Sequence, residues 1–514
     1  MKEATPSNYL FVLVAASAVG KSVLVNKLCD EGLWLKANKY STRDNRGQED
    51  DVVKIDDQSI NDSSDEETKT KIRLSRMENL VNICGQGRGV VYYKNDNIYG
   101  VSISEIQEGL KKSHLAVIIS DFHVIDKLRE KLGNRIKVMY IASTIDEKVL
   151  FQRFKEREKD KYQEELKKMT EIIGGIQDKV VKLSSAIRLQ YVSKVDDIIR
   201  NINEKWNTNL SSYETVKTRS FNIRMLYNRY IDNISKIDYA ILNTRNQDEE
   251  YMFKQARNIL KNVKPKREIQ LTKPPIFMVC AAKSSGKKTL MEIIGDIGDV
   301  HSNIVKTTKF GTRDREDTDG RDMIAIGEGA DFKEHMEKRF EMQIRDGEGG
   351  DIWKWGFMQR PTEYAVCHKE IKLNEEKNIA QFFISNMGQI DYAREKYSEN
   401  IVVLYLHATH ETKTEEHIQK KQKNKLLKEI KNTNPNFTDI QVEEIFYNDK
   451  KIQEKFNKKV EEDKEEIMNV HDAFCEHNTN IDHVLLNTGT REDLIEQMTN
   501  LINYYTKKSE DHPA

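Results

Sequence analysis

The sequence predicts an α/β fold built from two tandem domains, each with a doubly wound parallel sheet. The first observation is an apolar run at residues 11–14, followed by a short loop of small residues and then by a helical pattern. That order is typical of a parallel sheet covered by helices. The second observation is that the same order returns at residues 276–289, after a segment that carries three prolines. We therefore expect the duplication of a whole domain rather than a short solenoid repeat.

The composition narrows the classes of protein to which the chain can belong. Lys and Arg total 83 against 84 Asp and Glu, so the net charge of -1 gives no specific signal for nucleic acid. The five cysteines are scattered and lack Cys-x-x-Cys spacing, which predicts reduced thiols and a cytoplasmic location. No apolar run is long enough to span a membrane, and the first residues lack the pattern of a signal peptide.

The loop after the first predicted strand ends in Gly-Lys-Ser and predicts a phosphate site. Backbone N–H groups and the helix dipole favour an anion where a helix begins. We expect Lys21 to reach the outer phosphates of ATP and the Ser22 hydroxyl to hold Mg²⁺. Ala15 stands where such loops usually have their first glycine, and a chance Gly-Lys-Ser on a surface turn is the alternative. The residues expected at the phosphates are Ala16, Ser17, Ala18, Val19, Gly20, Lys21, Ser22 and Val23.

A second basic motif follows the first helix. Arg43 and Arg46 come directly after Ser41-Thr42, three positions apart. Two arginines at this spacing make a suitable clamp for a second phosphate. The alternative is a solvated basic turn, which the phosphate loop upstream makes less favoured.

Together these motifs resemble guanylate kinase, of the nucleoside-monophosphate-kinase family. The loop at 15–22 and the Ser-Thr-Arg-x-x-Arg run at 41–46 carry the resemblance. It covers nearly all of residues 8–262 apart from an insertion, and it implies phosphoryl transfer from ATP to a nucleoside monophosphate with ATP and Mg²⁺ as cofactors. Further matches in the family's order lie at 98–102, 115–121, 136–141, 153–157 and 237–244.

The resemblance also implies roles for individual residues. Phosphoryl transfer depends on positioning and on positive charge around the moving group. The residues implied in catalysis are Lys21, Arg153, Arg157 and Arg224. The residues implied in binding the acceptor nucleotide are Lys39, Arg43, Arg46, Tyr99, Ser102 and Asp121.

The first domain departs from the family where the base of the acceptor is read. No Glu lies near Val90, where the family has a residue that reads guanine, and Lys39 replaces a Ser that helps hold the acceptor phosphate. The Tyr that follows the arginine loop in the family has no clear counterpart around 52–55. The acceptor base therefore stays open. Two functions also stay open: a nucleotide kinase, or a catalytically inactive scaffold or nucleotide-gated interaction protein.

A helical insertion is predicted in the lid of the first domain, at about 158–222. Apolar residues recur at alternating steps of four and three from 162 to 187, which is a heptad seam typical of a coiled coil. A second apolar helix is predicted at 191–206. We expect a hairpin that pairs with a protein partner or a second copy through residues 160–218, or that packs on its own chain.

The second domain is predicted to be a degenerate copy. We expect the first domain at 1–262, a linker at 263–275 and the second domain at 276–514. Lys288 stands where the Mg²⁺-holding hydroxyl belongs, and positions matching the lid arginines fall near Ile418 and Gln422. The Lys/Glu-rich region at 411–470 predicts a solvated helical lid, with nucleic-acid binding as the alternative. Its phosphate-loop and clamp residues are Ser285, Gly286, Lys287, Lys288, Thr289 and Arg313.

Overall fold

The computed structural model of the chain contains two five-stranded sheets in which all neighbouring strands are parallel. With the helices between the strands, this architecture confirms the predicted α/β fold class. Both five-stranded sheets lie in one compact unit of the structure. The predicted insertion at 158–222 lies outside the described residues, which are 8–15, 19–42, 53–54, 66–85, 87–94, 97–119, 121–143, 229–243, 249–263, 273–300, 303–307, 309–311, 323–325, 352–356, 363–397, 400–408, 411–487 and 490–510.

The first half contains one parallel and one mainly antiparallel sheet. Its described strands are β1 (Leu10–Val14), β2 (Leu35–Lys36), β3 (Lys39–Ser41), β4 (Val53–Lys54), β5 (Gly89–Lys94), β6 (Asn97–Ser102), β7 (Leu115–Ile118), β8 (Ile136–Ser143) and β9 (Tyr239–Asn243). Its described helices are α1 (Lys21–Asp30), α2 (Glu66–Cys84), α3 (Ile103–Leu110), α4 (Phe122–Leu132) and α5 (Glu249–Lys261). The parallel sheet has the order β2-β7-β1-β8-β9, and the smaller sheet has the order β4-β3-β6-β5.

The second half repeats this arrangement strand for strand. Its described strands are β10 (Ile276–Ala281), β11 (Ile304–Lys306), β12 (Lys309–Gly311), β13 (Met323–Ala325), β14 (Ile352–Gly356), β15 (Glu363–Cys367), β16 (Ala380–Ser385), β17 (Ile401–Ala408) and β18 (His483–Asn487). Its described helices are α6 (Lys287–Val300), α7 (His368–Glu376), α8 (Ile390–Tyr397), α9 (Glu411–Thr433), α10 (Asp439–Asn448), α11 (Lys450–His477) and α12 (Arg491–Glu510). The orders β11-β16-β10-β17-β18 and β13-β12-β15-β14 match those of the first half.

Buried ion pairs repeat along with the strands. In the first half, Asp238 accepts hydrogen bonds from the backbone N–H of Val138 at 2.7 Å and from Arg129 at 2.8 Å. In the second half, Asp482 accepts from the backbone N–H of Val403 at 2.8 Å, and Arg394 donates to it at 3.2 Å. Each pair therefore ties the start of the last strand of its sheet to the neighbouring strand and to a helix.

A buried glutamine connects the last strand of each sheet to a second helix. Gln255 of α5 donates to the carbonyl of Leu242 and accepts from its N–H, both at 2.8 Å. Gln497 of α12 makes the same two bonds with Leu486, each at 2.9 Å. Because a buried amide left without partners is costly, these bonds fix how each helix docks on its sheet.

The two halves contact each other through their last strands and through α5 and α11. The Tyr230 hydroxyl donates to the backbone carbonyl of Val484. On α5, Tyr251 donates to the carbonyl of His471 at 2.8 Å, and Asn258 Nδ2 lies 2.8 Å from Asn478 Oδ1. These contacts join the two halves directly, in addition to the chain connection through the predicted linker at 263–275.

The region predicted as a Lys/Glu-rich helical lid in the second half is helical. Helices α9, α10 and α11 enclose a small apolar core that contains Leu426, Ile430, Val442 and Phe446. Lysine–glutamate pairs such as Lys455–Glu429, at 2.6 Å, lie on its exposed surface. Across the described part of the chain, no helix has the length and hydropathy needed to cross a membrane.

Candidate functional site

The carboxyl ends of β1 and its two neighbours meet at one edge of the first sheet. β1 pairs in parallel with β7 on one side and with β8 on the other, so the three strands end at the same edge. Ala15 follows β1 there, and Asp121 follows β7. Ligands of open α/β sheets bind in the crevice beyond this edge.

The predicted phosphate loop leads directly into a helix at this edge. Gly20 has φ of 89°, in the left-handed region that glycine adopts without a Cβ penalty, and α1 begins at the next residue. The Lys21 ammonium turns back and donates to the carbonyl of Ala15 at 3.0 Å. The Ser22 side chain is exposed in the first turn of α1. The local structure therefore places a cation, a hydroxyl and a helix N-terminus together.

The acceptor-side residues that are described lie on the small sheet and at two helix starts. Lys39 of β3 is buried, and its ammonium lies 3.4 Å from the carbonyl of Ile118 at the end of β7. Ser102 accepts from the backbone N–H of Glu105 and caps α3, whereas Asp121 accepts from the N–H of His123 and caps α4. Both side chains therefore have a capping role in helix stability.

Tyr99 lies on β6, opposite the strand that leads into the predicted arginine clamp. Its ring stacks on that of Tyr92, with centroids 5.4 Å apart and planes inclined by 18°. In the antiparallel ladder, Tyr99 is paired with Ser41. The two stacked tyrosines thus lie on the same small sheet as β3, the strand that precedes Arg43 in the sequence.

Arg76 is a residue that the sequence did not single out. It lies on α2, is almost fully buried, and donates to the backbone carbonyl of Thr42 at 3.1 Å. The Thr42 N–H and hydroxyl also bond with the backbone of Ile98, at 3.0 Å each. Thr42 is therefore held by three hydrogen bonds immediately before the predicted clamp. Arg76 is identified only by its contact with Thr42, which is 34 positions away in the sequence, so no local sequence pattern could predict its role.

Glu105 is another residue that sequence reasoning missed. Its carboxylate accepts from the Tyr40 hydroxyl at 2.7 Å and from Asn38 at 3.0 Å, so it joins the first turn of α3 to the β3 segment. Burial, reinforced by this bond, raises the pKa of Tyr40 to about 12. Tyr40 therefore stays protonated at neutral pH and acts as a donor.

The second loop has the same backbone geometry at its glycine and the same type of lysine contact. Gly286 has φ of 98°, α6 begins at the next residue, and Lys287 donates to the carbonyls of Ala281 at 3.0 Å and Ala282 at 2.9 Å. A Cβ added at Gly286 would lie 2.3 Å from Asn487 Nδ2. The glycine with positive φ, the helix start after it and the lysine that bonds back to the strand end thus occur in both halves.

The side chains around the second loop differ from those of the first. Ser285 is buried, and its hydroxyl donates to the carbonyl of Ala282 at 2.8 Å. Lys288 is exposed and lies 3.8 Å from Glu292, one turn further along α6. The neighbouring Thr289 is only partly exposed. The second loop thus presents a lysine where the first presents the Ser22 hydroxyl.

Several predicted site residues are not placed by the structure. Those that lie outside the described residues are Ala16, Ser17, Ala18, Arg43, Arg46, Arg153, Arg157, Arg224 and Arg313. The clamp and the lid of the first domain therefore remain predictions from sequence.

Comparison with known proteins gives matches among solved structures. No protein-family model matches the chain, and no curated protein matches it. Among solved structures, it is similar to guanylate kinase from Anaplasma phagocytophilum, at 15% sequence identity and a TM-score of 0.27. The match covers 49% of this chain and 85% of that one. A TM-score at this level carries no argument, so the interpretation rests on the geometry above.

Proposed function

We propose that the first half is an ATP-binding, nucleotide-kinase-like domain that transfers a phosphoryl group from ATP to a nucleoside monophosphate. The geometry at the start of α1 supports the proposal. The helix begins at Lys21, directly after Gly20, which has positive φ, and the Lys21 ammonium donates to the carbonyl of Ala15 at the end of the central strand. The first N–H groups of a helix have no partner within the helix and can bind a phosphate. Lys21 then supplies positive charge beside them.

The residues present fit ATP and Mg²⁺. The positive φ at Gly20 turns the chain into the helix N-terminus, and Ser22 offers an exposed hydroxyl oxygen there, of the kind that Mg²⁺ prefers. Bound Mg²⁺ would neutralise charge on the phosphates during transfer. In this proposal Lys21 holds the outer phosphates, while Arg153, Arg157 and Arg224 approach the transferred group from the lid.

The acceptor phosphate is assigned to Arg43 and Arg46. The support is indirect: buried Arg76 and the backbone of Ile98 hold Thr42, the residue before Arg43, in one conformation. A fixed starting point limits the entropy that the clamp loses on binding. Asp121, at the carboxyl edge of the sheet, would orient the acceptor.

The base of the acceptor is left unassigned. Val90 is buried and paired with Val101 in the small sheet, so the segment expected to carry the guanine-reading Glu presents an apolar residue there. Lys39, which stands in place of the expected Ser, is buried against a backbone carbonyl. These two positions favour an acceptor that is not read as guanine is read in guanylate kinase.

The second candidate is a catalytically inactive scaffold or a nucleotide-gated interaction protein. Ser102 and Asp121 both cap helices, and Lys39 is buried, so three predicted acceptor residues already have structural partners. In this reading, the predicted hairpin at 160–218 mediates self-association or binds a protein partner in the cytoplasm. Deleting 160–218 with a short Gly/Ser bridge should remove that association while ATP binding is preserved; unchanged assembly would contradict it.

A panel of ribo- and deoxynucleoside monophosphates, each with ATP and Mg²⁺, separates the two candidates. Formation of a nucleoside diphosphate from any of them supports the kinase, provided that Lys21→Ala lowers the rate by about 100-fold or more. Lys287→Ala is the matched control and should leave turnover nearly unchanged. ATP binding without any product would favour the gated interaction protein.

A further inference from the structure

The second phosphate-type loop is in contact with a buried carboxylate from the lid. Lys283, in the middle of the loop, forms an ion pair with Asp463 of α11, and its ammonium lies 3.5 Å from Glu466 one turn further along that helix. The Asp463 side chain is 2% exposed and that of Lys283 is 15% exposed. The loop cation is therefore neutralised inside the fold.

A second lid helix holds the same carboxylate. Gln422 of α9 is buried and donates its Nε2 to Asp463 Oδ2 at 2.6 Å. A buried carboxylate is costly unless donors satisfy it, and here one oxygen faces the loop lysine while the other faces Gln422. Loop, α9 and α11 thus meet at Asp463.

The corresponding loop position of the first half carries a different charge in the sequence. Aligning the two loops places Ser17 at the position of Lys283. The first half therefore has an uncharged residue where the second half has the loop cation that pairs with Asp463.

We propose that Asp463 is a built-in anion that latches the lid helices α9 and α11 onto the second loop and excludes nucleotide phosphates from it. A phosphate entering this loop would bring negative charge next to a buried carboxylate and would compete with it for Lys283. At distances of a few ångströms in a protein interior, repulsion between like charges is strong. The second half is then closed by its own chain, independently of whether the first half is a kinase.

The test uses the full chain with Lys21→Ala, so that the first half does not contribute, and inorganic tripolyphosphate as the probe. Asp463→Asn removes the anion with almost no change in shape. We expect tripolyphosphate binding by Lys21→Ala alone to be weak or undetectable, and Asp463→Asn to raise the affinity about tenfold or more above that value or above the detection limit. The matched control is Glu462→Gln, the preceding residue of α11, whose side chain is 54% exposed and pairs only weakly with Lys458 at 4.0 Å.

Stability gives a second and independent readout. Removing one member of a buried ion pair leaves the other uncompensated, so Asp463→Asn should lower Tm by about 5 °C or more, and tripolyphosphate should restore part of that loss. Should Asp463→Asn fail to fold, Lys283→Met/Asp463→Leu removes both charges. We expect that double variant to recover Tm and to show no response to tripolyphosphate.

Three results would overturn the proposal. One is strong tripolyphosphate binding by the Lys21→Ala chain that Lys287→Ala then abolishes, because the second loop would be open. Another is an Asp463→Asn variant that matches Glu462→Gln in both Tm and tripolyphosphate binding. The third is a double variant, Lys283→Met/Asp463→Leu, no more stable than its single variants, because the pair would not couple lid to loop.

Discussion

In the first half of the chain, the residue after the loop lysine is Ser22; in the second half it is Lys288. The end of the loop is alike in both halves, since Gly20 and Gly286 both have positive φ and a helix begins directly after each of them. The buried Asp–Arg pairs and the buried glutamines are also retained. The difference is thus concentrated in side chains that would face a phosphate. The buried contacts of the fold thus occur in both halves, whereas the residue after the loop lysine differs, and on this difference we base the proposal that only the first half binds ATP.

The largest effect is expected from glycine substitutions in the two loops. Gly20→Ala should abolish ATP binding, because a Cβ at positive φ costs about 1–2 kcal/mol and shifts the backbone N–H groups that would bind phosphate. Gly286→Ala should lower Tm through the clash with Asn487 and leave ATP binding unchanged. Calorimetric titration with ATP and thermal unfolding check both variants. Loss of ATP binding in Gly286→Ala would reverse the assignment.

The next effect concerns the repeated Asp–Arg pairs. Arg129→Met and Arg394→Met should each lower the free energy of unfolding by about 2–3 kcal/mol, since each leaves a largely buried aspartate without its cation. The loss should be larger for Arg129→Met, because the side chain of Asp238 is 4% exposed and that of Asp482 is 12% exposed. Urea unfolding monitored by circular dichroism measures it. Equal stability of wild type and both variants would show that the pairs do not clamp the last strands.

These pairs also show where prediction from sequence stops. The strands of the two parallel sheets and the loop glycine and lysine follow local patterns of apolar and small residues, and these patterns predicted both parallel sheets. Two ion pairs join segments that lie more than a hundred residues apart: Asp238 with Arg129, and Asp463 with Lys283. Each residue looks like a surface charge in its own segment. No periodicity or spacing in the sequence predicts which residue will pair with a given charge. The role of Arg76 could not be predicted for the same reason.

A pH effect on stability is expected from two buried histidines of the second half. Burial lowers the pKa of His407 to about 3 and that of His471 to about 4. Below the ordinary histidine pKa near 6.5, the unfolded chain binds protons that the folded chain does not, so stability is present above that pH and is lost as pH falls towards the folded pKa. Ala142 occupies the strand position corresponding to His407 in the first half.

The variant His407→Gln isolates this contribution. It should reduce the stability lost between pH 7 and pH 5 by about 2 kcal/mol, since one proton-binding group is removed from the unfolded chain. Urea unfolding at the two pH values measures the difference. Identical pH dependence in wild type and His407→Gln would mean that His407 takes up its proton at the same pH in the folded and the unfolded chain, so that burial does not lower its pKa.

The smallest effect is expected at the position that distinguishes the two loops. Lys288→Ser restores a hydroxyl after the loop lysine but removes only an exposed pair with Glu292, so stability should change by less than about 0.5 kcal/mol. It should also fail to create ATP binding, because Asp463 still neutralises the loop. A Lys21→Ala/Lys288→Ser chain titrated with ATP tests this. ATP binding by that chain would show that the missing hydroxyl alone had closed the second loop.

The stoichiometry of ATP binding tests the contrast between the halves most directly. Calorimetric titration of the full chain with ATP and Mg²⁺ should give one site per chain, which Lys21→Ala removes and Lys287→Ala leaves in place. Two sites per chain, or one site that only Lys287→Ala removes, would contradict the account.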